Sequence, residues 1–227
     1  MENYLETRKI LSYDDVAAYP APTTQSDEEL VAVVQYDSDI RCRYRKFDML
    51  PITGSMIYVR DEVARRIARV EARLKLQGFH LEIAYGYRHP SIQAQYFEKR
   101  KDEISRANPE LTGAVLDRFV HNFVAIPDIA GHPTGGALDL TLVRLDGSAV
   151  DMGTEIADYA DDTKIKTDAQ GINPEQRAHR TILHDAMVAE GFAPFYGEWW
   201  HFSYGDREWS AFYKKAARYG AVEYGAR

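Results

Sequence analysis

The stretch Gly131-His132-Pro133-Thr134-Gly135-Gly136-Ala137-Leu138-Asp139-Leu140-Thr141-Leu142 joins a sharp turn to the clearest strand in the chain. Pro133, Gly135 and Gly136 oppose a helix here. From Ala137 to Leu145 the residues alternate, with Leu138, Leu140 and Leu142 facing one way and Asp139, Thr141 and Val143 the other. A fully extended chain would hold His132 and Asp139 roughly 23 Å apart. Two glycines that tolerate positive φ can fold the strand back beside His132. An imidazole and a carboxylate could then share one divalent cation. The alternative is a plain glycine turn followed by a strand whose Asp139 is simply exposed.

Working outward, Ser55–Arg60 reads as a short strand leading into a helix from Asp61. Val63, Ile67, Val70 and Leu74 form the inner stripe of that helix, Arg65, Arg66, Arg69 and Glu71 lie opposite, and Gly78 stops it. Phe79–Tyr85 alternates as a half-buried strand. Helices are predicted over about Ser91–Arg106 and after Pro109, the latter with Leu111, Val115 and Phe119 on one stripe. Asp158–Gly171 reads as a mobile polar loop. Asn173-Pro174 caps a helix that ends at Gly191, with Ala178, Ile182, Ala186 and Met187 inward. Trp199–Tyr204 is a final strand, and Trp209, Phe212, Tyr213 and Ala216 recur at helical spacing. Strands and helices mix without strict β-α-β alternation, so the expected fold is α+β, a mostly antiparallel central sheet flanked by helices. One domain over residues 1–227 is expected, with residues 1–35 as an N-terminal arm.

With 28 Lys+Arg against 35 Asp+Glu among 227 residues, the net charge is −7, which argues against a nucleic-acid partner. No stretch approaches the ~18 apolar residues of a membrane span, and the first residues hold no apolar leader core, so no membrane partner and a cytoplasmic location are expected. The single cysteine, Cys42, excludes an internal disulfide. It lies in the basic run Arg41-Cys42-Arg43-Tyr44-Arg45-Lys46, whose arginine face reads as solvated, the alternative being a seat for a substrate carboxylate; neighbouring cations could activate the thiol, though no partner base is evident. No serine-nucleophile elbow, phosphate loop, dinucleotide fingerprint or H-E-x-x-H helix is present. His179 and His184, five apart on a helix, read as surface or helix-end residues.

A second chemical setting is Gly197-Glu198-Trp199-Trp200-His201-Phe202. Glu198 and His201 would face opposite sides of an ideal strand, so Glu198 must sit in a turn that Gly197 permits. An aromatic core strand with one satisfied histidine is the competing reading. Together the two settings offer His132, Asp139 and His201 as ligands, with Glu198 unligated nearby. Three N/O ligands leave one tetrahedral position for water, the arrangement of a catalytic zinc. Glu198 could take a proton from that water and return it to a leaving amine.

The pattern His132-x-x-Gly135-x-Ala137-x-Asp139 followed by Glu198-Trp199-Trp200-His201 resembles the signature of the zinc D-alanyl-D-alanine dipeptidases, the VanX-like members of the D,D-peptidase/hedgehog-type metallopeptidases. The resemblance runs from about Arg41 to Phe202 and includes Ile83-Ala84-Tyr85-Gly86-Tyr87-Arg88 and Asp151-Met152-Gly153-Thr154. It implies a hedgehog/D,D-peptidase-like fold and one zinc per chain held by His132, Asp139 and His201. It also implies Glu198 as general base and acid, Arg88 as oxyanion stabiliser, and a small D-amino-acid dipeptide, foremost D-Ala-D-Ala, as substrate. Asp158, Tyr87 and Trp200 are expected substrate contacts, and Arg88 could instead sit in a structural ion pair. The chain departs from the pattern at Ala130 (usually Ser), Ala157 (usually Asp, here displaced to Asp158) and Tyr85 (usually Asp), and His89 separates Arg88 from Pro90. The rival activities are a D,D- or L,D-carboxypeptidase acting on peptidoglycan stems and, in another class, a silent zinc-stabilised binding module.

Overall fold

The apolar stripes at Val63–Leu74 and Leu138–Leu142 each need a partner surface, and each covers the other. The computed structural model describes residues 8–225 apart from 25, 45 and 160. Its elements are α1 (Tyr13–Ala17), β1 (Leu30–Ala32), β2 (Arg41–Cys42), α2 (Leu50–Thr53), β3 (Tyr58–Arg60), α3 (Asp61–Lys75), β4 (Phe79–Tyr85) and α4 (Pro90–Ala107). These are followed by α5 (Gly113–His121), β5 (Ala137–Arg144), α6 (Asp162–Ile165), α7 (Pro174–Ala189), β6 (Ala193–Pro194), β7 (His201–Ser203) and α8 (Arg207–Tyr213). The main sheet runs β2-β4-β5-β7-β6; every pair is antiparallel except β2 with β4. The fold is α+β, as the mixed pattern implied.

Val63, Ile67, Val70 and Leu74 of α3 are inaccessible to solvent and pack with Leu81, Ile83, Leu138, Leu140 and Leu142, while Leu183 and Met187 of α7 close the same core. Each such side chain contributes roughly 1.5–3 kcal/mol of burial. Because β5 alternates, its other face is left to Asp139. Strand β4 is buried along most of its length rather than on one side alone, since it lies between β2 and β5.

Several local expectations are corrected. Glu71 is fully buried instead of solvated, accepting from Leu81 N at 2.7 Å and lying 2.5 Å from His80 Nδ1. The inner residues of α5 are Leu116 and Val120, packed on Phe97 and Ile104, whereas Val115 is 61% exposed; Leu111 precedes the helix and does not set its phase. In α7, His179 and His184 are buried, and Ala178 is exposed. The reason is polar: His179 Nδ1 donates to Asp151 O (2.8 Å), and Arg180 donates to Met152 O and Lys166 O (2.7 Å each). The same contacts order the 158–171 stretch, which holds α6 and buries Ile165, Thr167 and Ala169. The last helix stops at Tyr213, because Lys214 takes a left-handed conformation (φ 52°). The N-terminal stretch is tied in from residue 13 onward: β1 pairs with β3, and Arg207 of α8 donates to Ala17 O and Tyr19 O at the end of α1. Residues 1–7 and Arg45 lie outside the described residues.

Candidate metal centre and catalytic cavity

His132 opens a 3₁₀ turn, His132–Thr134, which Gly135 closes at φ 74°. Of the pair Gly135 and Gly136, only Gly135 uses positive φ. Gly136 is required for a different reason: a Cβ there would stand 2.5 Å from Tyr204 O, where the chain after β7 pairs closely. The turn presents the His132 ring with Nδ1 at 2.7 Å from Gly86 O. A carbonyl can only accept, so Nδ1 carries the proton and Nε2 keeps its lone pair, 3.4 Å from Asp139 Oδ2.

Sheet register supplies the other ligands. Asp139 of β5 is paired with His201 of β7 on one side and with Tyr85 of β4, across a bulge, on the other. His201 Nδ1 lies 3.0 Å from Asp139 Oδ1, and its Nε2 points at Glu208 Oε2, 3.7 Å away. One donor atom each from His132, Asp139 and His201 falls within 4.8 Å of the others. Two imidazole nitrogens and one carboxylate oxygen, each imidazole backed by a carbonyl or carboxylate on its far side, fit a zinc with an open position. Burial brings His132 down to about 4, so it is neutral and ready to ligate near pH 7. Burial would raise Asp139, but the two imidazoles hold it well below the usual carboxylate range. Burial would lower His201, yet Glu208 and Asp139 outweigh it and push the ring up to about 10.

Glu198 sits in the turn between β6 and β7, as its spacing from His201 demanded. Its N–H donates to Phe195 O (3.0 Å), and its carbonyl accepts from His201 N (3.2 Å). Gly197 serves the turn by leaving room for Phe195, whose ring would meet a Cβ at 2.6 Å, not by adopting positive φ. Trp199 pins the turn from behind, its indole donating to Thr154 Oγ1 (2.8 Å). Tyr159 donates to Glu198 Oε1 at 2.9 Å, and burial raises this carboxyl above its ordinary value, which suits a group that must both accept and return a proton.

These residues line one cavity of about 540 Å³ together with Arg88, Tyr85, Tyr96 and Lys46. Arg88 follows β4, anchored by its N–H to His132 O (3.2 Å) and by Nη1 donating to Gln93 Oε1 (2.7 Å). It forms no ion pair with any described residue, and its buried Nε has no hydrogen-bond partner among them. The structural ion pair is therefore not what holds it. Ala130 and Ala157 also line the cavity.

The three expected substrate contacts fall elsewhere. Tyr87 is buried behind the wall, donating to Val222 O (2.7 Å) and accepting from Tyr224 N (3.0 Å). Trp200 is buried beneath Tyr159, an edge contact with centroids 6.1 Å apart. Asp158 is exposed and is not part of the cavity lining. Sequence reading passed over Tyr159, Lys46 and Glu208. Only the last carried a signal, an acid seven residues beyond a ligand histidine at the start of a helix. Cys42 is exposed on β2 and is not part of the cavity lining.

Three donors that could hold one metal ion, a carboxyl beside them and a fixed guanidinium are the parts that a metal-dependent hydrolase requires. The family model described as D-ala-D-ala dipeptidase, Peptidase_M15, matches residues 27–219, and the chain belongs to that family of metallopeptidases. A D-alanyl-D-alanine dipeptidase of Enterococcus faecalis is 34% identical over 184 residues, 77% of this chain and 88% of that one. One from Synechocystis is 39% identical over 108 residues, which is 40% of this chain and 44% of the relative. A solved structure described as VanYB in complex with D-Alanine-D-Alanine aligns over 92% of this chain and 94% of that chain, at 15% identity and a TM-score of 0.49. No described helix is long and apolar enough to cross a membrane.

Proposed function

We propose that this metallopeptidase hydrolyses free D-Ala-D-Ala, using one zinc held by His132, Asp139 and His201. The observation that carries the reading is the convergence of those three donors within 4.8 Å beside the half-buried Glu198, in a chain that the dipeptidase family model covers over residues 27–219. Bound there, zinc supplies Lewis acidity, making water more acidic and polarising the peptide carbonyl. Glu198 accepts the proton of the attacking water and passes it to the departing amine nitrogen. Tyr159 fixes one carboxyl oxygen and leaves the other for that transfer. Arg88, anchored by Gln93 and with an unpaired buried N–H, offsets the negative charge that develops on the carbonyl oxygen. The side chains of His132, Asp139 and His201 are little exposed (9–13%), which strengthens the charge interactions among them.

The test is a panel of the four alanyl-alanine stereoisomers with zinc-loaded protein, alongside metal analysis. One zinc per chain and selective cleavage of the D,D isomer are expected, and Glu198→Ala should keep the metal while losing hydrolysis. Undiminished hydrolysis in Glu198→Ala overturns the mechanism, and failure of the wild type to cleave the D,D isomer overturns the substrate.

A further inference from the structure

Besides Arg88, the cavity is lined by Lys46, Lys99 and Arg100, which the hydrolytic machinery does not use. Lys46 Nζ stands 4.7 Å from the centroid of the Tyr96 ring, and Arg88 Cζ stands 5.1 Å from the same centroid. The two cations are therefore no more than about 10 Å apart, both within reach of one ring. The ring is fixed, because the hydroxyls of Tyr96 and Tyr85 both donate to Asp48 Oδ2. Tyr85 in turn lies under Arg88, with its ring centroid 4.5 Å from Cζ.

Lys46 makes no ion pair or hydrogen bond with any described residue. The cavity's carboxylates are all engaged: Asp139 with the two histidines, Glu198 with Tyr159, Glu208 facing His201, and Glu103 paired with Arg100 at 3.0 Å. Lys46 is exposed to solvent while lining the cavity, and the acids whose charge reaches it are Asp139, Asp48 and Glu198. A dipeptide brings one fixed negative group, the terminal carboxylate, one residue beyond the scissile carbonyl. That residue spans about 3.6 Å, and with a charged contact of about 2.8 Å at either end its reach stays within the upper limit that the shared ring sets for Arg88 and Lys46.

We propose that Lys46 anchors the substrate's terminal carboxylate and thereby restricts the enzyme to peptides ending in a free acid at the residue after the cleaved bond. The proposal rests on the dipeptidase reading above. It is tested by comparing D-Ala-D-Ala with D-alanyl-D-alaninamide, which lacks the negative charge, in wild type, Lys46→Met and Lys46→Arg. Removing one charge-assisted contact predicts that Lys46→Met raises KM for the acid about ten- to hundredfold. The same variant should leave kcat within about threefold and the amide's KM unchanged, and Lys46→Arg should restore most of the loss. An unchanged KM for the acid, or equal losses for acid and amide, overturns the assignment.

Calorimetric titration of both ligands into the Glu198→Ala protein and its Lys46→Met double variant needs no turnover and separates the two claims. Lys46-dependent preference for the acid, with no cleavage by wild type, overturns the dipeptidase reading and supports the anchor. Cleavage by wild type with no preference for the acid overturns the anchor alone. No binding of either ligand overturns both.

Discussion

Replacing Glu208 by Gln tests whether the back of the metal site is built as the front requires. Glu208 Oε2 lies 3.7 Å from His201 Nε2, while His201 Nδ1 faces Asp139. A carboxylate there keeps the proton on Nε2 and the lone pair on Nδ1, and it raises the basicity of the ligating nitrogen. Two full charges at that separation would attract by about 4 kcal/mol at an effective dielectric of 20. A metal-bound imidazole carries only part of a charge, and 3.7 Å exceeds the ~2.8 Å of a charge-assisted hydrogen bond. The contribution should thus fall at the lower end of the ten- to hundredfold range seen for such partners, near tenfold in zinc affinity or about 1.4 kcal/mol. Gln keeps the volume and loses the charge. The assay is zinc competition against a chromogenic chelator, with thermal unfolding of the metal-free protein as a check on folding. Glu103→Gln is the control: it changes another acid of the same cavity, one paired with Arg100. Zinc affinity within twofold of wild type in Glu208→Gln refutes the reasoning, and equal losses in both variants would show a general effect of cavity charge.

Gly136→Ala places a Cβ 2.5 Å from Tyr204 O, so β5 and the chain after β7 must separate; a loss of about 1–3 kcal/mol is expected by denaturant unfolding, with weakened zinc binding. Glu190 caps the end of α7 and receives Arg69 Nε (2.7 Å) and Arg73 Nε (2.8 Å) from α3. Burial would raise this carboxyl, but the two guanidinium contacts bring it below its ordinary value. Because the folded value is the lower one, the stabilisation is complete above the unfolded carboxylate value of about 4.3 and is lost as pH falls through the folded value. Glu190→Gln should therefore cost about 1 kcal/mol at pH 7, discounted because both arginines are half exposed. The gap from wild type should close in acid, and a constant gap from pH 7 to pH 3 would count against it.

Periodicity read well wherever one face is uniformly apolar. Val63–Leu74 and Leu138–Leu142 are buried as the spacing predicts, and the turn at Gly135 and Gly136 brings His132 to Asp139. It failed where burial is achieved by polar groups. His179, Arg180 and Glu71 are buried because each meets a partner far along the chain, such as Asp151 O, Met152 O or Leu81 N. Nothing in the residue type announces such a partner. The convergence of His132, Asp139 and His201 was legible because they stand in two short, unusual motifs. The rest of the cavity was not: Lys46, Tyr96 and Tyr159 come from separate loops and helices, and only their packing makes them neighbours. Tyr87 and Trp200 illustrate the converse, since proximity in sequence to Arg88 and His201 does not turn a side chain toward the cavity.

The pairing of Asp139 with His201 makes the ion-binding centre and the strand alignment a single object. Two of its three donors are synthesised 62 residues or more before the third. A growing polypeptide still on the ribosome cannot complete the centre until its distal ribbon has emerged and zipped onto β5. An ion held by these three residues could be captured only late in maturation. A slip of one position in that zipper would turn His201 to the opposite face and yield a compact but metal-blind product.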